Sequence, residues 1–140
     1  MTERQYVAVR DTMTSNPRCV DGLAPVSEAI RIMRDEGLRS LVIEKRHERD
    51  ELGMIVIHDI ADKVISAGRA PARVSVYEIM SKPAVTLDAD MDIKYAIRLL
   101  TRLELSRALV MEKDALIGIV TLRDMVLRFA EDDGGGGGDV

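Results

Sequence analysis

The sequence predicts a mixed α/β (α+β) fold in which one β-α-β-β-α unit of about 60 residues occurs twice. The first observation is an internal repeat: VSEAIRIMRDEGLRSLVIE, beginning at Val26, aligns with IKYAIRLLTRLELSRALVM, beginning at Ile93. The second is a helical spacing of apolar residues in both copies. The third is a pair of apolar, β-branched stretches after each helix, which indicates two strands.

The first helix of each copy carries an apolar face. The spacing is i, i+3, i+4 and i+7, which places four side chains on one side of a helix. These residues are Val26, Ala29, Ile30 and Met33 in the first copy, and Ile93, Ala96, Ile97 and Leu100 in the second. We expect Asp90 to cap the second of these helices and Gly37 to end the first.

Two strands joined by a polar turn follow each of these helices. The strands are predicted at 41–43 and 52–57 in the first copy, and at 108–111 and 115–122 in the second. The turn of the first copy, EKRHERDE, mixes charges of both signs, so we expect a solvated hairpin loop. The second helices are predicted at about 59–67 and 124–130, and they carry apolar residues suited to a core or to a contact between two chains.

The domain boundaries follow from the repeat. The first repeat is predicted at 1–68 and the second at 76–131, with a Gly- and Pro-containing linker at 69–75 and a disordered Gly-rich tail at 132–140. One unit of this size buries too little surface to be stable alone. We therefore expect the two repeats to pack through their sheets with pseudo-two-fold symmetry.

Composition excludes several classes of protein. The formal net charge of −4 argues against a nucleic-acid-binding or anionic-membrane-binding protein, which needs a basic face. The sequence has one cysteine, Cys19, and neither a membrane-length apolar run nor a signal peptide, which favours a cytoplasmic location. No catalytic arrangement and no metal-ligand spacing is recognisable, so we expect no enzymatic activity, no metal and no required cofactor.

The closing motif of each copy raises the question of function. GMIVIHD ends at Asp59 and GIVTLRD ends at Asp124, and the hydroxyl of Thr121 is replaced by Val56 in the first copy. A carboxylate at a helix start is typical of a cap, and it can also accept hydrogen bonds from the vicinal hydroxyls of a ribose. Because Val56 cannot donate, we expect two unequal sites, with the Asp124 site better formed.

The order of these features resembles a tandem pair of cystathionine-β-synthase (CBS) domains, also called a Bateman module. The resemblance covers roughly 7–130 and rests on M-x-x-x-P or M-x-x-P, the A-I-R helix, the hairpin and G-h-h-[ST]-x-x-D. It implies a stand-alone regulatory sensor that binds AMP, ADP or ATP in the inter-repeat cleft, forms a homodimer and acts on an unknown effector protein. The alternatives are S-adenosylmethionine or NAD(H) as ligand, or a ligand-independent dimeric adaptor.

The resemblance also implies roles for individual residues. The implied ribose-binding residues are Asp124, Thr121 and Asp59. The implied phosphate-binding residues, all cationic or able to become so, are Arg39, Arg107, Arg123 and His58, and Arg39 and Arg107 are expected at equivalent positions. The implied adenine pocket is formed by Cys19 and Val20, or by the matching Val85 and Thr86.

Overall fold

The predicted β-α-β-β-α order is confirmed in both copies by the computed structural model, which describes residues 6–134. Short 3₁₀ helices lie at Val9–Asp11 and Pro71–Arg73. The strands and α-helices are β1 (Thr14–Ser15), β2 (Cys19–Val20), α1 (Val26–Glu36), β3 (Ser40–Ile43), β4 (Gly53–Val56), α2 (Ile57–Ile60), α3 (Val76–Ile79), β5 (Thr86–Asp88), α4 (Ile93–Leu103), β6 (Arg107–Glu112), β7 (Ala115–Thr121) and α5 (Leu122–Gly134).

The chain divides into two compact units, and the division differs from the repeat boundaries expected at 1–68 and 76–131. The first-repeat unit is Arg18–Ala84, and the second-repeat unit is Val85 onward together with the segment that ends at Pro17. The N-terminal segment belongs to the second-repeat unit because β1 pairs antiparallel with β7. The expected linker at 69–75 belongs to the first-repeat unit, where Val74 is buried and its carbonyl accepts from the Val26 N–H at 2.7 Å.

The first-repeat unit is built on a three-stranded sheet in the order β2-β3-β4. β2 runs parallel to β3, which runs antiparallel to β4. Helix α1 buries Val26, Ala29 and Met33 against this sheet's core, as its apolar spacing predicts. Residues of β3, β4 and α3 complete this core. Helix α3 stands at the start of the predicted second repeat, so this segment packs into the core of the first-repeat unit.

The second-repeat unit has a four-stranded sheet in the order β1-β7-β6-β5. β5 is parallel to β6, β6 is antiparallel to β7, and β1 forms the other edge. Helix α4 buries Ile93, Ala96 and Leu100 in the core of this unit. Val7 and Val9 join that core from the N-terminal segment, which accounts for its place in this unit.

The ends of the first helices are set by local chemistry. Gly37 ends α1 with a left-handed φ of 67°, as predicted. The predicted cap at Asp90 is wrong, because the carboxylate of Asp92 accepts from the Lys94 N–H at 3.0 Å at the start of α4. Asp90 instead pairs with Arg10 at 3.0 Å, which fastens the N-terminal segment to its unit.

The second helices differ between the copies. Helix α2 is one turn long and passes into a π-helical segment, Ala61–Ile65, where the Ser66 N–H donates to the Ala61 carbonyl at 2.8 Å. Helix α5 is regular and runs to Gly134, so it takes in the first three residues of the predicted tail; residues 135–140 lie outside the described residues. None of the helices in the described part of the chain is long and apolar enough to span a bilayer.

The charged loop between β3 and β4 is exposed at residues 44–49, as predicted, and Asp50 is an exception. The Asp50 side chain is only 8% exposed and forms an ion pair with Lys82. Its carboxylate also accepts from the Arg46 N–H at 2.8 Å and the Glu51 N–H at 2.9 Å. These partners hold the pKa of Asp50 well below its usual range, with the Lys82 hydrogen bond as the main cause.

We expect Asp50→Asn to lower the melting temperature at pH 7 by several degrees and by much less at pH 2. A carboxyl whose pKa is lowered on folding stabilises the folded state above its ordinary pKa of about 3.9, and this contribution is lost as the pH falls further. Thermal unfolding followed by circular dichroism at both pH values tests this. The exposed Asp35→Asn is the control, and a deficit that stays constant with pH would contradict the ion-pair explanation.

Candidate functional site

The predicted site residues of the second-repeat unit meet at one end of its sheet. β5 and β6 start at this end and β7 stops there. Arg107 is the cross-strand partner of Thr121, so their side chains lie on one face of the sheet with Cβ atoms about 5 Å apart. Thr86, the first residue of β5, pairs with Leu109 two residues further along β6. The structure therefore brings Thr86, Arg107 and Thr121 to one sheet end.

Thr121 caps the helix that follows it. Its hydroxyl oxygen accepts from the Asp124 N–H at 3.1 Å at the start of α5. The Asp124 side chain is 45% exposed, and one of its carboxylate oxygens lies 3.7 Å from an Arg123 guanidinium nitrogen. The hydroxyl thus takes the capping role, and the carboxylate beside it is accessible at the positive end of α5.

The equivalent residues in the first-repeat unit are arranged differently. Val56 has no hydroxyl, and here the Asp59 carboxylate accepts from the Val56 N–H at 3.3 Å. The second oxygen of Asp59 lies 3.8 Å from the Lys63 ammonium nitrogen, and the side chain is 17% exposed. Asp59 is therefore engaged within its own unit, whereas Asp124 is more open to solvent.

Lys63 is absent from the predicted site residues. It lies four residues after Asp59, a spacing that brings side chains together on a helix, and this spacing is the signal that identifies the pair in the sequence. Its ammonium group also donates to the Ile79 carbonyl at 3.3 Å. Lys63 thus places a positive charge beside the predicted ribose-binding carboxylate.

Arg39 and Arg107 do not occupy equivalent positions, which corrects the sequence-based expectation. Arg107 is the first residue of β6 and pairs with Thr121, and the residue paired with Val56 is Ser40. The Arg39 carbonyl accepts from the N–H of the first α2 residue at 2.9 Å, a role that Ser106 fills for α5 at 2.8 Å. The two predicted cations are offset by one residue because Arg-Ser in one copy is Ser-Arg in the other.

His58 and Arg123 do occupy equivalent positions. Each is the second residue of its helix and immediately precedes the aspartate of the closing motif. Both side chains are exposed at the start of the helix. Of the four predicted cations, the second-repeat sheet end thus carries Arg107 and Arg123, and the first-repeat sheet end carries Arg39 and His58.

The predicted adenine-pocket residues also prove to be offset by one. Cys19 pairs with Val42 and Thr86 pairs with Leu109, which makes Cys19 equivalent to Thr86. Val20 is accordingly equivalent to the buried Leu87. Val85 is equivalent to Arg18, because the Val85 carbonyl accepts from the Leu109 N–H and the Arg18 carbonyl accepts from the Val42 N–H, both at 2.9 Å.

Burial raises the pKa of the Cys19 thiol, and the negative charge of Glu44 adds to this effect.

A surface depression lies away from these residues. It has a volume of about 250 Å³ and lies at the opposite end of β2 and β3. Its lining residues are Asp21, Leu23, Glu44, Lys45 and Arg46. The depression therefore contains none of the predicted binding residues.

The geometry can be compared with known proteins. The CBS domain model matches the chain twice, at residues 9–66 and 76–131. An uncharacterized protein of Methanopyrus kandleri is 34% identical over 125 residues, which are 86% of this chain and 59% of that protein. This chain therefore spans less than two thirds of that relative's length.

Two solved structures show the same fold. The hexameric CBS-CP12 protein from bloom-forming cyanobacteria has a TM-score of 0.84 and 33% identity, over 89% of this chain and 72% of that one. Hypoxic Response Protein I with two coordinated zinc ions has a TM-score of 0.72 and 26% identity, over 86% of this chain and 98% of that one. In the part of the present chain that the structure describes, no group of three or more His, Cys, Asp or Glu residues could hold a metal ion. The chain belongs to the CBS domain family and contains two CBS domains in tandem.

Proposed function

We propose that this tandem CBS protein is a regulatory module that binds an adenosine nucleotide of the AMP or ATP type and is not an enzyme. The observation that carries the proposal is the second-repeat sheet end, where Thr121, Asp124, Arg107 and Arg123 come together. A hydroxyl, an accessible carboxylate and two guanidinium groups supply the donors and acceptors that a ribose phosphate requires.

The carboxylate and the hydroxyl have distinct roles in this proposal. The 45% exposed Asp124 carboxylate accepts hydrogen bonds from the two ribose hydroxyls, as acidic residues do in other nucleotide-binding folds. The Thr121 oxygen accepts from the Asp124 N–H and keeps its own proton for donation to a ligand oxygen. The cap therefore fixes the hydroxyl in place without using up its donor.

The cations account for binding of an anion by an acidic chain. Arg107 lies beside Thr121 across the sheet, and Arg123 lies next to Asp124 in α5. Guanidinium groups bind phosphate in a bidentate manner, and the start of α5 adds a favourable dipole. A local concentration of positive charge of this kind is compatible with a formal net charge of −4 for the whole chain.

Edge strands suit the proposed contact with adenine. β5 is an edge of the second-repeat sheet and β2 is an edge of the first-repeat sheet. Edge strands present backbone N–H and C=O groups that are not used in the sheet, and such groups can read the polar edge of a base. We assign Val85 and Thr86 this role beside Asp124; Cys19 and Val20 form the corresponding edge strand in the first-repeat unit.

Calorimetry and thermal shift with AMP, ATP, S-adenosylmethionine and NADH test the proposed function. We expect AMP or ATP to raise the melting temperature, since a ligand that binds only the folded state stabilises it by mass action. The other two ligands test the alternatives within the same chemical class. The absence of heat and of any thermal shift with all four at millimolar concentration would refute adenosine-nucleotide binding.

Self-association is a second function favoured by a specific surface. Helix α4 exposes Tyr95, Leu99 and Leu103 at i, i+4 and i+8, which form one apolar stripe. The similar cyanobacterial CBS-CP12 protein is hexameric, which supports self-association as a proposal for this chain. Light scattering with and without AMP separates nucleotide sensing from ligand-independent self-association. A ligand-independent adaptor forms the same dimer in both conditions. It also recruits its effector protein in both.

A further inference from the structure

We propose that the Asp59 half of the duplicated motif is closed from within, so that the chain takes up nucleotide through Asp124 and not through Asp59. In this proposal Asp59 has become a structural cap, and Lys63 is the internal cation that occupies it. The stoichiometry part rests on the proposed function, whereas the structural part can be tested without any ligand.

The first argument is the use of the Asp59 carboxylate. One oxygen accepts from the Val56 N–H at 3.3 Å and the other lies 3.8 Å from the Lys63 ammonium nitrogen. A ribose that bound here would have to share or displace both partners. Displacement leaves a part-buried backbone N–H unsatisfied, which opposes binding.

The second argument is the contrast with Asp124, which shows why Asp59 is used in this way. In the second-repeat unit the Thr121 hydroxyl caps the helix, accepting from the Asp124 N–H at 3.1 Å. Val56 stands at the same position and offers no oxygen to the Asp59 N–H, and the hydrogen bond at this helix start runs the other way, from the Val56 N–H to the Asp59 carboxylate. The first copy thus has an engaged carboxylate and no hydroxyl, whereas the second copy has a capping hydroxyl beside an accessible carboxylate.

The third argument is that Lys63 is held in position. Its ammonium group donates to the Ile79 carbonyl at 3.3 Å, and Ile79 is the last residue of α3. A cation at the carbonyl end of a helix is favoured by the exposed carbonyl groups there. Lys63 lies within the π-helical segment Ala61–Ile65, and π-helical turns occur frequently at functional sites.

A ligand-free stability cycle tests the engagement of the Asp59 carboxylate. We expect Asp59→Ala to lower the melting temperature of the wild-type chain, and to lower it by less in a Lys63→Met background, where the carboxylate has already lost its cation. Asp59→Asn, which keeps an acceptor oxygen, replaces Asp59→Ala if that variant does not fold. Equal decreases in both backgrounds would overturn the proposal.

The second-repeat unit provides the matched control for this cycle. Because Thr121 caps α5, Asp124→Ala should lower the melting temperature less than Asp59→Ala does in the wild-type chain. A larger loss from Asp124→Ala than from Asp59→Ala would count against the assignment of Asp59 as the cap.

Calorimetric titration with AMP tests the stoichiometry. We expect one AMP per chain for the wild type and for Asp59→Asn, and a rise from one towards two for Val56→Thr combined with Lys63→Met. Lys94→Met, an equal charge change at an exposed position of α4, should leave the value at one. Two AMP per wild-type chain, or a value that stays at one in the double variant, would overturn the internal closure.

The two proposals fail in different ways. If AMP gives no heat with any variant, adenosine-nucleotide binding fails, and the stability cycle still decides whether Asp59 is the cap. If AMP binds the wild type at two sites, nucleotide binding stands and the closure fails.

Discussion

Asp124→Ala should weaken AMP binding by about 10- to 100-fold, because it removes the acceptor proposed for both ribose hydroxyls. A hydrogen bond to a charged group contributes about 1.5–3 kcal/mol, and about 1.4 kcal/mol corresponds to a tenfold change in affinity. The variant should remain folded, since the Thr121 hydroxyl and not the carboxylate caps α5. Isothermal titration calorimetry measures the affinity, and circular dichroism verifies the fold.

The matched control for this experiment is Asp59→Ala. We expect AMP affinity within about twofold of the wild type in that variant, because the Asp59 carboxylate is engaged by Val56 and Lys63. Asp124→Asn, which keeps one acceptor oxygen, should fall between the wild type and Asp124→Ala. A greater loss of affinity from Asp59→Ala than from Asp124→Ala would reverse the order of the two sites and refute the assignment.

The fold was accessible from the sequence because its signals are local or repeated. The apolar spacing of α1 and α4 reflects burial on one helix face, and the paired β-branched stretches reflect two strands beside it. The left-handed turn at Gly37 follows from the absence of a Cβ. Each of these features depends on residues within one element, so one sequence is sufficient to predict it.

The placement of the N-terminal segment depends on distant residues. Nothing within Thr14–Ser15 indicates that this short strand pairs with β7, more than 100 residues later. The hydrogen bonds that fix the segment include backbone bonds, such as Val9 N–H to the Met91 carbonyl at 2.8 Å, which carry no side-chain signature. The repeat boundaries therefore come from the sequence, whereas the unit boundaries require the structure.

The site residues could be located to within one position. The strand register decides which side chains share a face, and a shift of one residue changes the face. The alignment that begins at Val26 and Ile93 pairs Arg107 with Ser40, and the strand register agrees with it. The expected equivalence of Arg39 and Arg107 departed from that alignment by one residue. The absence of a hydroxyl at Val56 was visible in the sequence, but the hydrogen bond from the Val56 N–H to the Asp59 carboxylate was not.

Gly118→Ala should lower the stability of the folded chain by about 1–3 kcal/mol, the usual cost of overpacking a tightly packed position. A Cβ at Gly118 would lie 2.6 Å from the Met13 sulfur and 2.8 Å from the Thr14 carbonyl oxygen. The sulfur ends a flexible side chain and can move, but the carbonyl belongs to β1, where Thr14 pairs with Ile119. The added methyl group must therefore displace the strand that joins the N-terminal segment to its unit.

Gly53→Ala is the matched comparison, because Gly53 begins the same motif in the first copy. Its added Cβ would meet the Met80 sulfur at 2.8 Å and the Ser81 carbonyl oxygen only at 3.2 Å, so rotation of Met80 relieves most of the clash. We expect a smaller loss of stability than for Gly118→Ala, measured by urea unfolding. Hydrogen exchange should also become faster at Thr14 and Ser15 in Gly118→Ala alone.

Equal losses of stability in the two variants would show that the methionines, and not the backbone of β1, determine the destabilisation. The predicted inequality would instead show that the glycine of G-h-h-[ST]-x-x-D in the second copy leaves room for the neighbouring strand β1.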